Sequence, residues 1–446
     1  MASLLRITGA SDDAAAALDV TVADARQLKA LAAGLQPALA PDRALADQVR
    51  AAIDAGRFDP VPGLLHRMAE AGPQALAVAG GVALVQRRYA EAATLFQQAA
   101  FAAPEQERQP YLELQATALF RLGSPASLHQ AAGLLRGMLG DLPPDRWAAV
   151  QDSLGTVLLR LADDDSLALA ITAFRAAAQA RAVLHQPLDW AASEVHLADA
   201  LVAQAAQRAG TALLEEAEAD YRAALAERRR DLVPLDWAAT QDRIGNALSL
   251  LAERETKPLD LLEATKAYEL ALLERRRDLV PFEWASTENN LGNALTRYGE
   301  QQDDAASIDQ AIAAYRAALG EFTRERAPDR WAAVQSNLGA ALVDAAMHGG
   351  DTDRLREAVV AYRAAASARP RDQAPTDWAI IQFNLGLALL QLGLREDGTA
   401  SLGAAAKAFD DCLSVVGLLW PQERVQVIIG RRDTALAEIA RREAVQ

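Results

Sequence analysis

Two registers of polar side chains recur along the chain of 446 residues. One runs Ser153, His196, Arg243, Asn290, Asn337 and Asn384; the other, three residues later each time, runs Thr156, Asp199, Asn246, Asn293, Ala340 and Leu387. A primary amide donates to a peptide carbonyl and accepts from a peptide N–H at once, so regularly spaced asparagines can grip an extended chain whatever its side chains. With Asp242 and Asn289, each one residue ahead of the first register, the candidate partner-binding set is Asp242, Arg243, Asn246, Asn289, Asn290, Asn293, Asn337 and Asn384. The same asparagines could instead serve only to bond neighbouring helices.

Other chemistry finds little support. The histidines (His66, His129, His185, His196, His348) show no metal-ligand spacing, and the chain has no HExxH, GxSxG, phosphate loop or GxGxxG. His196 stands in the polar register, where a lone histidine is more often a lining residue than a base. Paired carboxylates abound, as on any acidic helical surface, and select nothing. Catalysis, a metal and a cofactor are therefore not expected.

Lys+Arg is 45 against Asp+Glu 60, a net charge of −15 that argues against a nucleic-acid backbone as partner. The lone cysteine, Cys412, permits no internal disulfide, which suits a reducing, cytoplasmic setting. The apolar run ALAVAGGVALV from Ala75 is too short to span a bilayer, so membrane insertion is not expected either. Hydrophobic residues make up 51% of the chain but aromatics only 5%, so the apolar share is largely alanine and other small aliphatics, which favours close-packed helices.

The elements that must position these residues follow from the tryptophans. Trp147, Trp190, Trp237, Trp284, Trp331, Trp378 and Trp420 are separated by 43, 47, 47, 47, 47 and 42 residues, a period that signals a solenoid of stacked units. Eight residues after the first six stand Gly155, Ala198, Gly245, Gly292, Gly339 and Gly386, so something must approach closely there. From Trp237 to Leu251 apolar residues recur at helical spacing, defining a helix A. Proline lies three residues before each of the first six tryptophans and an acid often directly precedes them (Asp189, Asp236, Glu283, Asp377), which reads as a breaker plus an N-cap. A second stripe, Leu261, Thr265, Tyr268 and Leu272, marks a helix B.

The pattern resembles the tetratricopeptide repeat. Leu-Gly in helix A is followed in helix B by the triplets Ala170/Phe174/Ala177, Ala217/Tyr221/Ala224, Ala264/Tyr268/Ala271, Ala311/Tyr315/Ala318, Ala358/Tyr362/Ala365 and Ala405/Phe409/Cys412. Upstream, Ala92, Phe96, Ala99 and Pro104 fit an ordinary-length unit, with a looser one around Leu112 to Leu139. The long units are similar to the extended repeats of kinesin light chain, whose NNLA runs resemble Asn289-Asn290-Leu291-Gly292. The resemblance implies an all-α, right-handed α-solenoid of helix-turn-helix repeats. Residues 1–72 would form a helical cap or docking segment, 73–143 two shorter repeats, 144–415 six long ones and 416–446 a capping helix.

It further implies that helix A lines a concave face, that the array is a protein-binding scaffold, and that an asparagine ladder like those of kinesin light chain and O-linked N-acetylglucosamine transferase grips a peptide. Three residues before the glycine register, chaperone-binding members carry a lysine that clamps a carboxylate; here stand Asp152, Val195, Asp242, Asn289, Ser336 and Phe383, so no such clamp is expected. Phe383, Leu387 and Leu390 suit a hydrophobic anchor or packing under the terminal helix, and the tryptophans a wedge between units. Arginine-rich loops between units oppose acidic turns within them, which leaves open a homo-oligomer or a polymer built through charged edges. A regulatory sensor of a small ligand or signalling peptide is the other alternative.

Overall fold

A computed structural model describes residues 25–35, 40–68, 72–140, 142–255, 257–417 and 419–444. Every regular element among them is helical: α1 over 25–33, α2 (Ala40–Asp54), α3 (Val61–His66), then antiparallel partners in succession. The pairs are α4 (Pro73–Val85) with α5 (Tyr89–Ala102), α6 (Gln109–Leu122) with α7 (Pro125–Met138), α8 (Pro144–Leu161) with α9 (Asp164–Val183), and α10 (Pro187–Gln207) with α11 (Ala212–Glu227). They continue as α12 (Pro234–Glu255) with α13 (Pro258–Leu272), α14 (Pro281–Gln302) with α15 (Ala305–Leu319), α16 (Pro328–Gly349) with α17 (Thr352–Ala368), and α18 (Pro375–Arg395) with α19 (Ala400–Val416). α20 (Gln422–Glu443) follows. The described residues form two compact units, one ending at Val233 and the other beginning at Pro234.

Each long first helix begins on its proline, three residues before the tryptophan. This corrects the expected N-cap: Asp189, Asp236, Glu283 and Asp377 lie inside the first turn, where a carboxylate favours the positive end of the helix dipole, and proline takes the first position because its missing N–H would be unpaired there anyway. The acids of the turns within pairs do cap. Asp163, Asp304 and Asp351 accept from the backbone N–H of Ser166, Ala306 and Asp353 at the start of α9, α15 and α17.

The glycine register lies under the aromatic of the second helix. A Cβ on Gly245 would sit 2.5 Å from Cε1 of Tyr268, and one on Gly292 would sit 2.7 Å from Cε1 of Tyr315. Gly155, Gly339 and Gly386 face Phe174, Tyr362 and Phe409 in the same way. These rings are fully buried, flanked by alanines such as Ala264 and Ala271. Cys412 occupies one of the small flanking positions, and burial pushes its thiol up to about 12, which keeps it protonated and unreactive.

In the 234–446 unit the arginines between pairs act as clamps. Arg277, Arg324 and Arg371, one repeat apart, stack over Trp284, Trp331 and Trp378 at 5.4, 6.0 and 5.6 Å from the ring centroids. Each also reaches the C-terminal end of the next second helix: Arg277 donates to Glu321 at 2.7 Å, Arg324 to the Ser367 carbonyl at 3.3 Å and Arg371 to the Ser414 carbonyl at 3.4 Å. A cation is favoured at that end of a helix, and the indole shields one face of the guanidinium. The tryptophans are half-buried beneath them.

α18 is long and apolar enough to cross a membrane, the one such helix among the described residues. Most of that segment is enclosed by the protein, with Ile381, Phe383 and Leu390 in the core, as expected of an interior helix. In the other unit, α1 to α3 share a core with α4: Leu28, Val49, Ile53, Val61 and Leu65 pack with Val78 and Val82.

Candidate functional site

All eight asparagines, arginine and aspartate singled out from the sequence fall in the 234–446 unit, and most are engaged within it. Tyr268 donates to Oδ1 of Asn246 at 2.8 Å, and Tyr315 donates to Oδ1 of Asn293 at 2.8 Å. Asn337 donates to Oδ1 of Asn289 at 3.2 Å, joining α16 to α14. Asn289, Asn337 and Asn384 are buried, the last completely. Arg243 donates to the carbonyl of Ala239 on its own helix. Asn290 is half-buried, and its amide has no side-chain partner among the described residues.

Asp242 lies beneath the surface in a seam between pairs. Its carboxylate is 3.3 Å from Nη1 of Arg275 and accepts from the Thr287 hydroxyl at 2.9 Å, while that hydroxyl accepts from Arg275 at 2.7 Å. The same device recurs in the other unit, where Asp152, Arg181 and Ser193 are joined by contacts of 2.6 to 3.0 Å. Both carboxylates neutralise a buried guanidinium that could not otherwise leave water.

Two further carboxyls are tuned by burial. Glu194 and Glu288 stand four residues after Trp190 and Trp284, a register that holds Gln151, Gln241, Gln335 and Gln382 in the other long units. Burial and then the Asp220 carboxylate push Glu194 up to about 7, against the pull of Arg175; burial alone does the same to Glu288. An acid whose folded value lies above its unfolded one withholds stability progressively as pH rises from about 4.5 to about 7, because the unfolded chain then ionises and the folded chain resists. Glu194→Gln and Glu288→Gln are each expected to raise stability at pH 8 by about 1 kcal/mol, discounted for partial exposure, and to change nothing at pH 4.5. Thermal melts at the two pH values check this; an equal gain at both would assign the effect to packing rather than charge.

A roomy open space lies elsewhere. A cavity of about 930 Å³ opens between α1, α4, α6 and α8. α1 and the turn that ends it are amphipathic across it: Leu28, Ala32 and Leu35 enter the core, while Gln27, Ala30, Leu31 and Gly34 line the cavity. Gly81 on α4 lets this helix lie close, since a Cβ there would meet Leu28 at 3.0 Å and Leu31 at 3.1 Å. Leu114, Leu135, Val150 and Val157 supply apolar lining from α6, α7 and α8.

The polar part of the lining is mostly neutral. Gln27, Gln74, Gln106 and Gln109 contribute amides from four different segments, and among the described residues none of these side chains has a hydrogen-bond partner. Thr117, Ser153 and Thr156 donate to carbonyls of their own helices at 2.9 to 3.0 Å, which leaves their oxygens as acceptors. Burial and the Glu107 carboxylate hold the Tyr111 phenol above its usual value, so it stays neutral. Arg146 of α8 and Glu113 of α6 form an ion pair with each other. Ser153 and Thr156 are the first members of the two polar registers; the glutamines belong to no repeat register and escaped the sequence reading. Among the described residues, no group of three histidines, cysteines or carboxylates could hold a metal ion.

No family model matches the sequence, and none of the curated proteins does. Solved structures do resemble the fold. The apo form of RapI is 11% identical with a TM-score of 0.51, over 89% of this chain and 97% of that one. A signal transduction ATPase with numerous domains from Pyrococcus horikoshii, which carries a tetratricopeptide repeat sensor, is 13% identical with a TM-score of 0.42, over 76% of this chain and 52% of that one. A kinesin light chain with nearly identical TPR-like repeats from Podosopora anserina is 18% identical with a TM-score of 0.37, over 52% of this chain and 98% of that one. Such identities bear on the fold alone. With the helix pairs and the glycine-under-aromatic packing, the likeness to RapI establishes an all-α fold of stacked, tetratricopeptide-like helix pairs.

Proposed function

We propose that this chain is a non-catalytic scaffold that binds a peptide segment of a partner protein, and that the cavity bordered by α1, α4, α6 and α8 is its site. The observation that carries this reading is the contrast between two sets of amides. In the 234–446 unit the asparagines mostly bond to tyrosines and to one another. Around the cavity four glutamines stand beside an apolar lining, Gln74 and Gln106 exposed and Gln27 and Gln109 half-buried, with no protein partner for their side chains among the described residues. Unengaged donors and acceptors beside aliphatic side chains suit a peptide, whose backbone needs both kinds of bond and whose side chains need burial. The net charge of −15 disfavours nucleic acid.

Peptides displayed from the proteome of the source would be selected on the full chain, and the best binder measured by fluorescence anisotropy. Gln27→Ala with Gln109→Ala is expected to raise Kd about tenfold, roughly the loss of two hydrogen bonds of modest net strength, and Asn290→Ala to leave it unchanged. The reverse pattern would move the site to the asparagine ladder. That second reading keeps one specific support, the partly exposed Asn290 amide without a side-chain partner.

A further inference from the structure

We infer that the cavity selects a peptide stretch that carries no negative charge where it is covered and presents aliphatic side chains to the lining, an inference that rests on the peptide-binding reading above. Among the described residues Arg146 is the one cation that lines the space, and it is paired with Glu113, while the other lining carboxylate, Glu107, is exposed and has no ion-pair partner among them. A ligand carboxylate or phosphate would have to take Arg146 from its partner and leave Glu113 desolvated beside it. That exchange makes one charge pair by breaking another. Uncharged ligands meet no such opposition, and a ligand ammonium can pair with Glu107 without breaking the existing pair.

The rest of the lining specifies what a neutral ligand gains. Leu31, Leu114, Val150 and Val157 offer branched aliphatic surface that favours leucine- or valine-like side chains. The glutamines bond peptide groups without regard to sequence, so they hold the backbone while the lining chooses the side chains. Gln27 and Leu31 come from α1, outside the helix pairs, so recognition draws on the N-terminal segment as well as on the repeats.

The test uses three pools of N-acetylated, C-amidated dodecapeptides. All have leucine or valine at the same alternate positions, with the remaining positions drawn from Gln, Ser and Thr; in two pools a pair of these is replaced by Glu or by Lys. Binding to the full chain is read by anisotropy at low and high salt. The neutral pool is expected to bind at least tenfold more tightly than the acidic pool, with little salt dependence, and the basic pool at least as tightly as the neutral one at low salt. Glu113→Gln, at a partly exposed residue, leaves Arg146 unpaired and is expected to shift preference toward the acidic pool by about tenfold; Arg146→Gln is expected to shift it toward the basic pool. Equal or tighter binding of the acidic pool to the native chain, or variants that bind as before while keeping the native preference, would overturn the selectivity and leave peptide binding standing. Failure of all three pools to bind would overturn the peptide-binding reading itself, and the selectivity with it.

Discussion

Tyr268→Ala is expected to destabilise the 234–446 unit by about 3–5 kcal/mol, the usual cost of emptying a buried aromatic site. Tyr268 is enclosed between Ala264, Ala271 and the bare backbone of Gly245, and it holds the Asn246 amide in place. Gly245→Leu attacks the same contact from the other side. Leucine is a good helix former, so propensity favours the change by almost 1 kcal/mol, but its first carbon would lie 2.5 Å from the ring. Overpacking of that severity costs about 3 kcal/mol or more and should win. Ala198 holds this register in another unit and is buried, as is Tyr221 of its partner helix, so one extra carbon can be accommodated there, which is why leucine rather than alanine is the informative change. In the double variant the leucine enters the space the ring has vacated, so the two losses should fall short of additive by at least 1 kcal/mol. Denaturant melts of the four proteins read this directly, and strict additivity would mean that ring and glycine do not oppose each other as described.

Asp242→Ala is expected to cost about 3–5 kcal/mol, because it strands the buried Arg275 guanidinium. Thr287 remains as a hydrogen-bond acceptor but carries no charge to offset the lost carboxylate. Combining Asp242→Ala with Arg275→Met should recover most of the loss, since the desolvated charge goes with it. Arg277→Ala provides the contrast. That side chain is more than half exposed where it meets Glu321 and Trp284, so its removal should cost no more than about 1 kcal/mol. A melt in which Arg277→Ala proved the more damaging would reverse the ranking of seam and clamp. Neither change touches the cavity, whose lining residues all lie before Val233, so peptide binding should survive both.

The features legible in the sequence were those that one residue imposes on every unit. A residue no larger than alanine must stand wherever a buried ring meets a helix backbone, so Gly245, Gly292 and their counterparts repeat in step with the tryptophans and disclose both helices of each pair. The start of the first helix was less legible: Pro234 serves as breaker and first helical residue at once, and only the backbone shows that Asp236 falls inside the turn. The role of Asn246 and Asn293 was hidden because their partners, Tyr268 and Tyr315, lie 22 residues further on, across the pair. Asp242 joins two residues, Arg275 and Thr287, that a single unit does not contain. The cavity was least legible of all. Its lining unites Gln27 from α1 with α6 of a short unit and α8 of the first long one, and no common period runs through these segments.

Amide hydrogen exchange of the full chain, with and without a selected peptide at saturation, tests the central claim most directly. Binding in the cavity should slow exchange in α1, in α6 and in the first half of α8, while α14 and α16, which carry Asn289, Asn290, Asn293 and Asn337, exchange as before. Protection confined to α14 and α16, with α6 and α8 unchanged, would contradict the account and return the asparagine ladder to the centre of the protein's function.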